Sequence, residues 1–235
     1  MDKAVVGVVN VLESYRGRDR LMRTLCYSCQ LLGGVITEKH GDQHRYGKSF
    51  LLIASQLSHS RTVLRLFDDL SMLAYSLKYG LGKKEEDCLI RWISVIGNIF
   101  DQLYYPCEHV AWAADVGVIH TKSDIWWTAS TVLWGLSLLV GIIRSLRILV
   151  KLKRSKEKQS ENGLPKSQGE IRFQMRSELL CIFSSICDLT NTIHWMPPGF
   201  LWGGCSPMWL VGLMGTISSL IGIYQTAVGG SAAGV

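Results

Sequence analysis

Charged residues are scarce in this chain and absent from two long stretches of it. Asp, Glu, Lys and Arg make up 19% of the 235 residues, whereas 48% are hydrophobic, and a soluble domain typically carries about 25% charged residues. The stretches without any charge are Ile125–Ile143, of nineteen residues, and Pro207–Val228, of twenty-two. This composition argues against an ordinary soluble domain and favours a membrane protein.

The chain also lacks the residue combinations that enzymes and metal sites require. No nucleophile–base pair, carboxylate pair or phosphate-binding loop emerges, so we expect no catalytic residues and no cofactor. The seven cysteines are odd in number and irregularly spaced, which indicates reduced thiols rather than a disulfide framework. Cys26 and Cys29 form a close CxxC pair with no second pair or histidine at zinc-site spacing, so no metal site is expected.

The first uncharged stretch has the length and the flanks of a membrane-spanning helix. As an α-helix it would be roughly 28 Å long, close to the ~30 Å hydrocarbon core of a bilayer. Trp126 and Trp127 stand at one end, where such rings favour the headgroup layer. Five basic residues at the other end are placed to reach lipid phosphates: Arg144, Arg147, Lys151, Lys153 and Arg154.

The net charge of +6 is a local feature of this basic flank. Residues 144–176 contain ten Lys or Arg and three Glu, so the rest of the chain is nearly neutral. Clustered basic residues beside a membrane span predict contact with anionic lipid headgroups, and we expect no nucleic-acid binding. The polar segment 154–169 reads as a flexible linker. The following segment, 170–195, is predicted to be an interfacial helix because it contains Glu178 and Asp188.

Small residues recur along one face of each predicted span. Such a stripe lets another helix backbone approach closely, and van der Waals packing associates helices in lipid. The predicted helix-packing residues are Ser137 and Gly141 in the first span and Gly212, Gly215, Ser219 and Gly222 in the second.

The N-terminal half is predicted to form amphipathic helices. The first runs over 10–32, with Asn10 as a possible N-cap and Gly33-Gly34 as its end. The second runs over 50–79 and fits either a helical bundle or a membrane interface. Its candidate membrane-inserting residues are Leu57, Arg61, Leu64, Arg65, Phe67 and Leu70.

A third helix is predicted over 89–103 and should end at Pro106. Its broad apolar face includes Leu89, Trp92, Ile96, Ile99 and Leu103, and this face should turn inward. Its polar residues, which should then lie outside, are Arg91, Ser94, Asn98 and Asp101.

These patterns predict an all-α integral membrane protein with amphipathic helices in its N-terminal half and two transmembrane helices. The expected organisation is a helical region at 1–122, which the family topology given below makes cytosolic, and a transmembrane helix at 125–149. A basic linker and an interfacial helix should follow at 150–206, then a second transmembrane helix at 207–228 and a short tail at 229–235.

Four segments of the chain resemble the peroxin-eleven family, in particular its gamma-type branch. They are LESYRGRDRLMRTLCY, SQLSHSRTVLRLFDDL, NIFDQLYYPCEHVAWAAD and PMWLVGLMGTISSLIGIYQ. The resemblance runs over almost the whole chain. It implies a multi-pass peroxisomal membrane protein, not an enzyme, that promotes membrane protrusion, elongation and division. It also implies that 57–70 inserts into the outer leaflet.

The resemblance further implies a set of partners and a topology. The partners are membrane lipids, copies of the chain and other family members, a tail-anchored fission adaptor and a dynamin-related GTPase. The family's import receptor for membrane proteins would read the segment around 140–158. Both termini would be cytosolic and 150–206 lumenal, whereas the positive-inside rule would keep the basic flank in the cytosol. We follow the family topology here.

A channel for small metabolites is the alternative function. The spans contain no charge, although intramembrane ionisable residues usually mark ion or substrate pathways. Hydroxyl residues such as Thr128 and Thr216 could line a pore only in an oligomer, so the membrane-shaping function is preferred.

Overall fold

The computed structural model describes residues 15–41, 44–83, 85–161 and 165–232, together with the isolated residues 9 and 13. Within these ranges the chain is helical and contains no strand, which confirms the predicted all-α class. The helices are α1 (Tyr15–His40), α2 (Arg45–Arg65), α3 (Asp69–Tyr79), α4 (Cys88–Asp115), α5 (Ser123–Glu161), α6 (Pro165–His194) and α7 (Met208–Ala232). They form two compact units, one of α1, α2 and α7, the other of α3 to α6.

Two helices in the described part of the chain are long and apolar enough to cross a membrane. They are α5, over Ser123–Glu157, and α7, over Met208–Ala227. Both contain the uncharged stretches that predicted the spans. The predicted N-cap residue Asn10 lies outside the described residues.

In the first unit, α1 lies between α2 and α7 and runs antiparallel to both. Gly33 and Gly34 do not end this helix, contrary to the prediction. A Cβ on Gly34 would overlap the backbone of Trp209, and one on Gly33 would meet Leu51. The two glycines therefore permit close contact with neighbouring helices, and α1 continues to His40.

The predicted helix over 50–79 is two helices, one in each unit. The chain leaves helical geometry at residues 66–68, and α3 begins at Asp69. Adjacent acidic residues, Asp68 and Asp69, favour the positive end of a helix dipole and so favour a new start here. Gly80 ends α3 with φ of 56°, in the left-handed region that glycine adopts without strain.

In the second unit, α4 and α6 lie on α5, and α3 lies on α4. Pro106 does not end α4, contrary to the prediction, because α4 is held against α5 on both sides of it. Asp101 accepts a hydrogen bond from the Ser137 hydroxyl at 2.5 Å, and Asp115 accepts one from Trp127 Nε1 at 2.7 Å. Most of the predicted linker is also helical, since α5 continues to Glu161 and α6 begins at Pro165.

Candidate membrane-binding site

The residues predicted to insert into the membrane are divided between the two units. Leu57, Arg61, Leu64 and Arg65 belong to α2, whereas Phe67 and Leu70 lie at the start of the second unit. Arg61 is directed toward α1, where its Nε donates to Asp19 Oδ1 at 2.9 Å. This basic residue therefore holds two helices of the first unit together.

The exposed apolar face of α3 is the part of the predicted segment that can meet lipid. Its large side chains keep much of their surface exposed: Leu70 77%, Leu73 42% and Leu77 73%, with Phe67 at 74% in the turn before the helix. Leu70, Leu73 and Leu77 recur at spacings of three or four residues and so lie on one side of the helix. At the start of the helix, Asp69 Oδ2 lies 3.1 Å from His109 Nδ1 of α4. This contact attaches the N-terminal end of the helix to α4.

The basic flank of α5 divides into residues bound within the unit and residues left at its surface. Arg144 Nε donates to Ser94 Oγ at 3.0 Å, and Arg147 Nε donates to Asp87 Oδ2 at 3.1 Å. The other predicted lipid-phosphate ligands, Lys151, Lys153 and Arg154, are exposed.

A shallow pocket of about 280 Å³ lies on this flank. Its walls are Asp87, Arg147, Val150, Lys151, Arg154 and Ser155. Three cationic side chains face one carboxylate that is already bound to Arg147, so the pocket carries net positive charge. Its charge and size suit a phosphate group such as a lipid headgroup.

Asp87 caps α4 and also binds the basic flank of α5. Its Oδ1 accepts hydrogen bonds from the backbone N–H groups of Leu89 at 3.0 Å and Ile90 at 3.4 Å, while Oδ2 binds Arg147. Burial alone would raise the pKa of this carboxyl. The hydrogen bonds from Ile90, Arg147 and Leu89, with the charge of Arg147, outweigh it and hold the pKa below the ordinary value.

We expect the two roles of Asp87 to separate in a pair of variants. Asp87→Asn keeps an N-cap acceptor, so it should lower the free energy of unfolding by less than Asp87→Ala, which removes both the acceptor and the charge. The charge-dependent part of the stability is present above the unfolded pKa of about 3.9 and is lost as pH falls through the lower folded pKa. Unfolding in detergent between pH 3 and 7 measures both, and an unchanged pH profile in Asp87→Asn would contradict the assignment.

The small-residue stripe of α7 faces α1 of the same chain. A Cβ on Gly212 would overlap the backbone of Leu31, and one on Gly215 would overlap the Tyr27 ring. Ser219 is buried and donates to the Gly215 carbonyl at 2.6 Å. Gly222 has open space where a Cβ would stand, and its carbonyl accepts from Arg20 Nη1 at 3.1 Å. The close approach at Gly212 and Gly215 is therefore made by α1.

The two small residues singled out in the first span have different surroundings. Ser137 binds Asp101 of α4, whereas nothing lies within 4 Å of the position of a Cβ on Gly141. The pairing of α1 with α7 was not predicted, although residues 24–37 of α1 carry no charge. That run, with Gly33-Gly34, was the available signal.

The polar residues of α4 lie on the side opposite to the one predicted. Ser94 and Asp101 contact α5, while Trp92, Ile96 and Ile99 are exposed at 48%, 43% and 50%. The prediction assumed that water surrounds this helix. Its apolar face is instead the outer surface of the unit.

Comparison with known proteins identifies the family. The family model described as peroxisomal biogenesis factor 11 (PEX11) matches residues 5–227. The chain belongs to the PEX11 family. This confirms the expected family, whose members are peroxisomal membrane biogenesis factors and not enzymes.

The relatives of this PEX11 protein cover most of its length. It is 53% identical to peroxisomal membrane protein 11C of Homo sapiens, over 97% of the chain and 96% of the relative. It is 50% identical to the protein of that name from Mus musculus, over 95% and 94%. Peroxisomal membrane protein 11B of Pongo abelii is 27% identical over 64% and 60%. The gamma-type assignment fits these identities, and no solved structure matches the chain.

Proposed function

We propose that this PEX11 protein promotes protrusion, elongation and division of the peroxisomal membrane, and that it does so by placing apolar helical surface in the bilayer and by self-association. The observation that carries the proposal is the exposed apolar face of α3, formed by Leu70, Leu73 and Leu77, with Phe67 exposed in the turn before it. A helix with such a face, inserted into one leaflet, displaces lipids on that side and favours curvature.

The α3 face can be tested with a double variant and a charge-matched control. Leu70→Glu with Leu77→Glu should abolish most of the membrane elongation that the wild-type protein produces, because two carboxylates would have to enter apolar lipid. Ser71→Glu with Lys78→Gln has the same change in net charge and spacing beside this face, and it should retain elongation. Peroxisome length in cells expressing each full-length variant, at matched protein level, is the measurement. Equal elongation in both variants would refute the role of the face.

We also propose that the pocket of Arg147, Lys151 and Arg154 binds anionic headgroups. Lys151→Ala with Arg154→Ala should weaken binding of the detergent-solubilised protein to anionic vesicles by roughly thirtyfold, since each of the two basic residues near such a surface contributes about 1 kcal/mol. Lys83→Ala, at an exposed position in the loop before α4, is the single-site control. Binding that does not depend on vesicle charge, or on salt, would contradict this function of the pocket.

The remaining parts of the proposal concern partners and location. Self-association and contact with other family members would concentrate the inserted surface, and a tail-anchored fission adaptor with a dynamin-related GTPase would complete division. The import receptor for peroxisomal membrane proteins would read residues 140–158, which combine apolar and basic side chains. We place the chain in the peroxisomal membrane as a multi-pass protein with both termini in the cytosol. Cross-linking of tagged full-length copies in isolated peroxisomes tests the association.

A further inference from the structure

The outer surface of α4 is apolar over a length that matches a bilayer. From Cys88 to Pro106 the exposed positions are Cys88, Leu89, Trp92, Ile96, Ile99, Leu103 and Pro106. Eighteen residues of helix extend about 27 Å. No charged side chain is exposed anywhere along that distance, although Arg91 and Asp101 are part of the same helix. An amphipathic helix of a soluble protein shows the opposite arrangement.

The outer surface of α6 has the same character. Between Ser177 and His194 the exposed residues are Leu179, Phe183 and Ile186, whereas Asp188, Asn191 and Thr192 are buried. Thr192 lies beside Gly135 of α5, and the Trp195 ring stacks on the Trp134 ring with centroids 5.7 Å apart. The polar residues of this helix are therefore turned inward.

The exposed surface of α2, in the same chain, is mostly polar over its second half. The exposed positions of α2 from residue 55 onward are Ser55, Gln56, Ser58, His59 and Ser60. Polar side chains dominate that surface, as expected for contact with water. The apolar exteriors of α4 and α6 are therefore not a general property of the helices in this chain.

The register of the helices places α4 at the same depth as the span of α5. Asp87 binds Arg147 at one end, Asp101 binds Ser137 in the middle and Asp115 binds Trp127 at the other end. The two helices thus run antiparallel along the whole uncharged run of α5. If α5 crosses the hydrocarbon core, α4 has no other position than beside it.

α6 follows α5 through the three-residue segment 162–164 and still contacts it at Trp134, so these helices form an antiparallel hairpin. We infer that α4 and α6 both cross the membrane beside α5, with their exposed apolar side chains in contact with lipid acyl chains. The internal polar pairs then satisfy, within the protein, groups that lipid cannot bind. This inference concerns the path of the chain and goes beyond the proposed function.

Two additional crossings change which segments share a side of the membrane. Residues 80–87 and the basic segment 148–176 come to lie on one side, and residues 116–122 and 195–204 on the other. The crossings from α4 to α7 number four, so residues 80–87 share a side with the C-terminal end of α7, which stays cytosolic. The basic segment then moves to the cytosolic side, where the positive-inside rule places it. The conflict between that rule and the two-span topology disappears.

Labelling from one side of sealed membranes tests this topology. Full-length protein lacking the exposed Cys88 and Cys205 would receive one new cysteine at a time, and isolated peroxisomes would be treated with a membrane-impermeant polyethylene glycol maleimide. The four substitutions, all at exposed residues, are Lys83→Cys, His120→Cys, Lys156→Cys and Phe200→Cys. We expect Lys83→Cys and Lys156→Cys to react in intact organelles, and the other two to react only after permeabilisation.

The two-span topology predicts a different pattern. Positions 83 and 120 would both react in intact organelles, and positions 156 and 200 would both react only after permeabilisation. That pattern would overturn the inference. Resistance of each variant to carbonate extraction confirms that it is inserted in the membrane. The labelling pattern then reports the topology even if the protein does not elongate peroxisomes in cells.

A second measurement does not depend on the loops. A nitroxide attached to Ile99→Cys in proteoliposomes should collide at least several-fold more often with oxygen, relative to a water-soluble nickel complex, than one on Ser58→Cys of α2. Similar collision ratios at the two positions would show that α4 faces water and would overturn the inference.

Discussion

Replacing Gly212 with alanine should lower the free energy of unfolding by about 1–3 kcal/mol, the usual cost of forcing an extra carbon into a closely packed contact. The new Cβ would overlap the backbone of Leu31, which cannot move aside as the end of a flexible side chain can. α1 would have to shift away from α7, and the Tyr27 contact at Gly215 would weaken with it. Thermal unfolding in detergent, followed by circular dichroism, measures the loss.

Gly222→Ala is the matched control because it lies in the same helix and has open space at the Cβ position. It should leave stability unchanged or raise it by up to about 1 kcal/mol, the difference in helix propensity between glycine and alanine. Equal destabilisation by the two substitutions would mean that α1 does not approach α7 as closely as the structure places it.

Leu103→Lys should be the most damaging substitution on the surface of α4. Leu103 lies two residues beyond Asp101, level with the middle of the uncharged run of α5, and is 49% exposed. In water an exposed leucine can be replaced by lysine at little cost, whereas a lysine at the centre of a membrane helix costs about 2.5–3.5 kcal/mol. The fraction of protein that resists carbonate extraction from peroxisomes should therefore fall sharply.

Ser58→Lys on α2 is the comparison for this substitution, since Ser58 is exposed on a polar surface. It should leave the extraction-resistant fraction at the wild-type level. If Leu103→Lys behaves in the same way, α4 does not contact the hydrocarbon core.

Sequence patterns were sufficient for the helical class, the two long apolar helices and the family. They failed where the structural role of a residue depends on whether it faces water or a neighbouring helix. Gly33-Gly34 reads as a helix end by local conformational preference, but in the structure it is a close contact with Trp209 and Leu51. Asp101 reads as solvent-facing by its charge, but it binds Ser137. The first error came from reading the glycines without their neighbouring helices, and the second from assuming water around an amphipathic helix.

The candidate site was predictable only in part for a related reason. The apolar spacing of α3 was visible in the sequence, as was the basic flank of α5. The break at residues 66–68 was not, because the periodicity continues across it. Nor could the sequence show which cations are bound within the protein. That depends on which carboxylate lies close in the folded chain, and Asp87 binds Arg147 although Lys151 lines the same pocket.

The length of α5 has a mechanical consequence. The helix continues for eighteen residues beyond Ile143, to Glu161, and so extends roughly 27 Å past its uncharged run. Because it is helical and α6 follows it in a hairpin, this extension is a rigid projection rather than a flexible linker. A protein that binds the end of this projection would be held at a fixed distance from the bilayer. A force applied there would tilt the membrane-spanning part of α5 relative to the lipids.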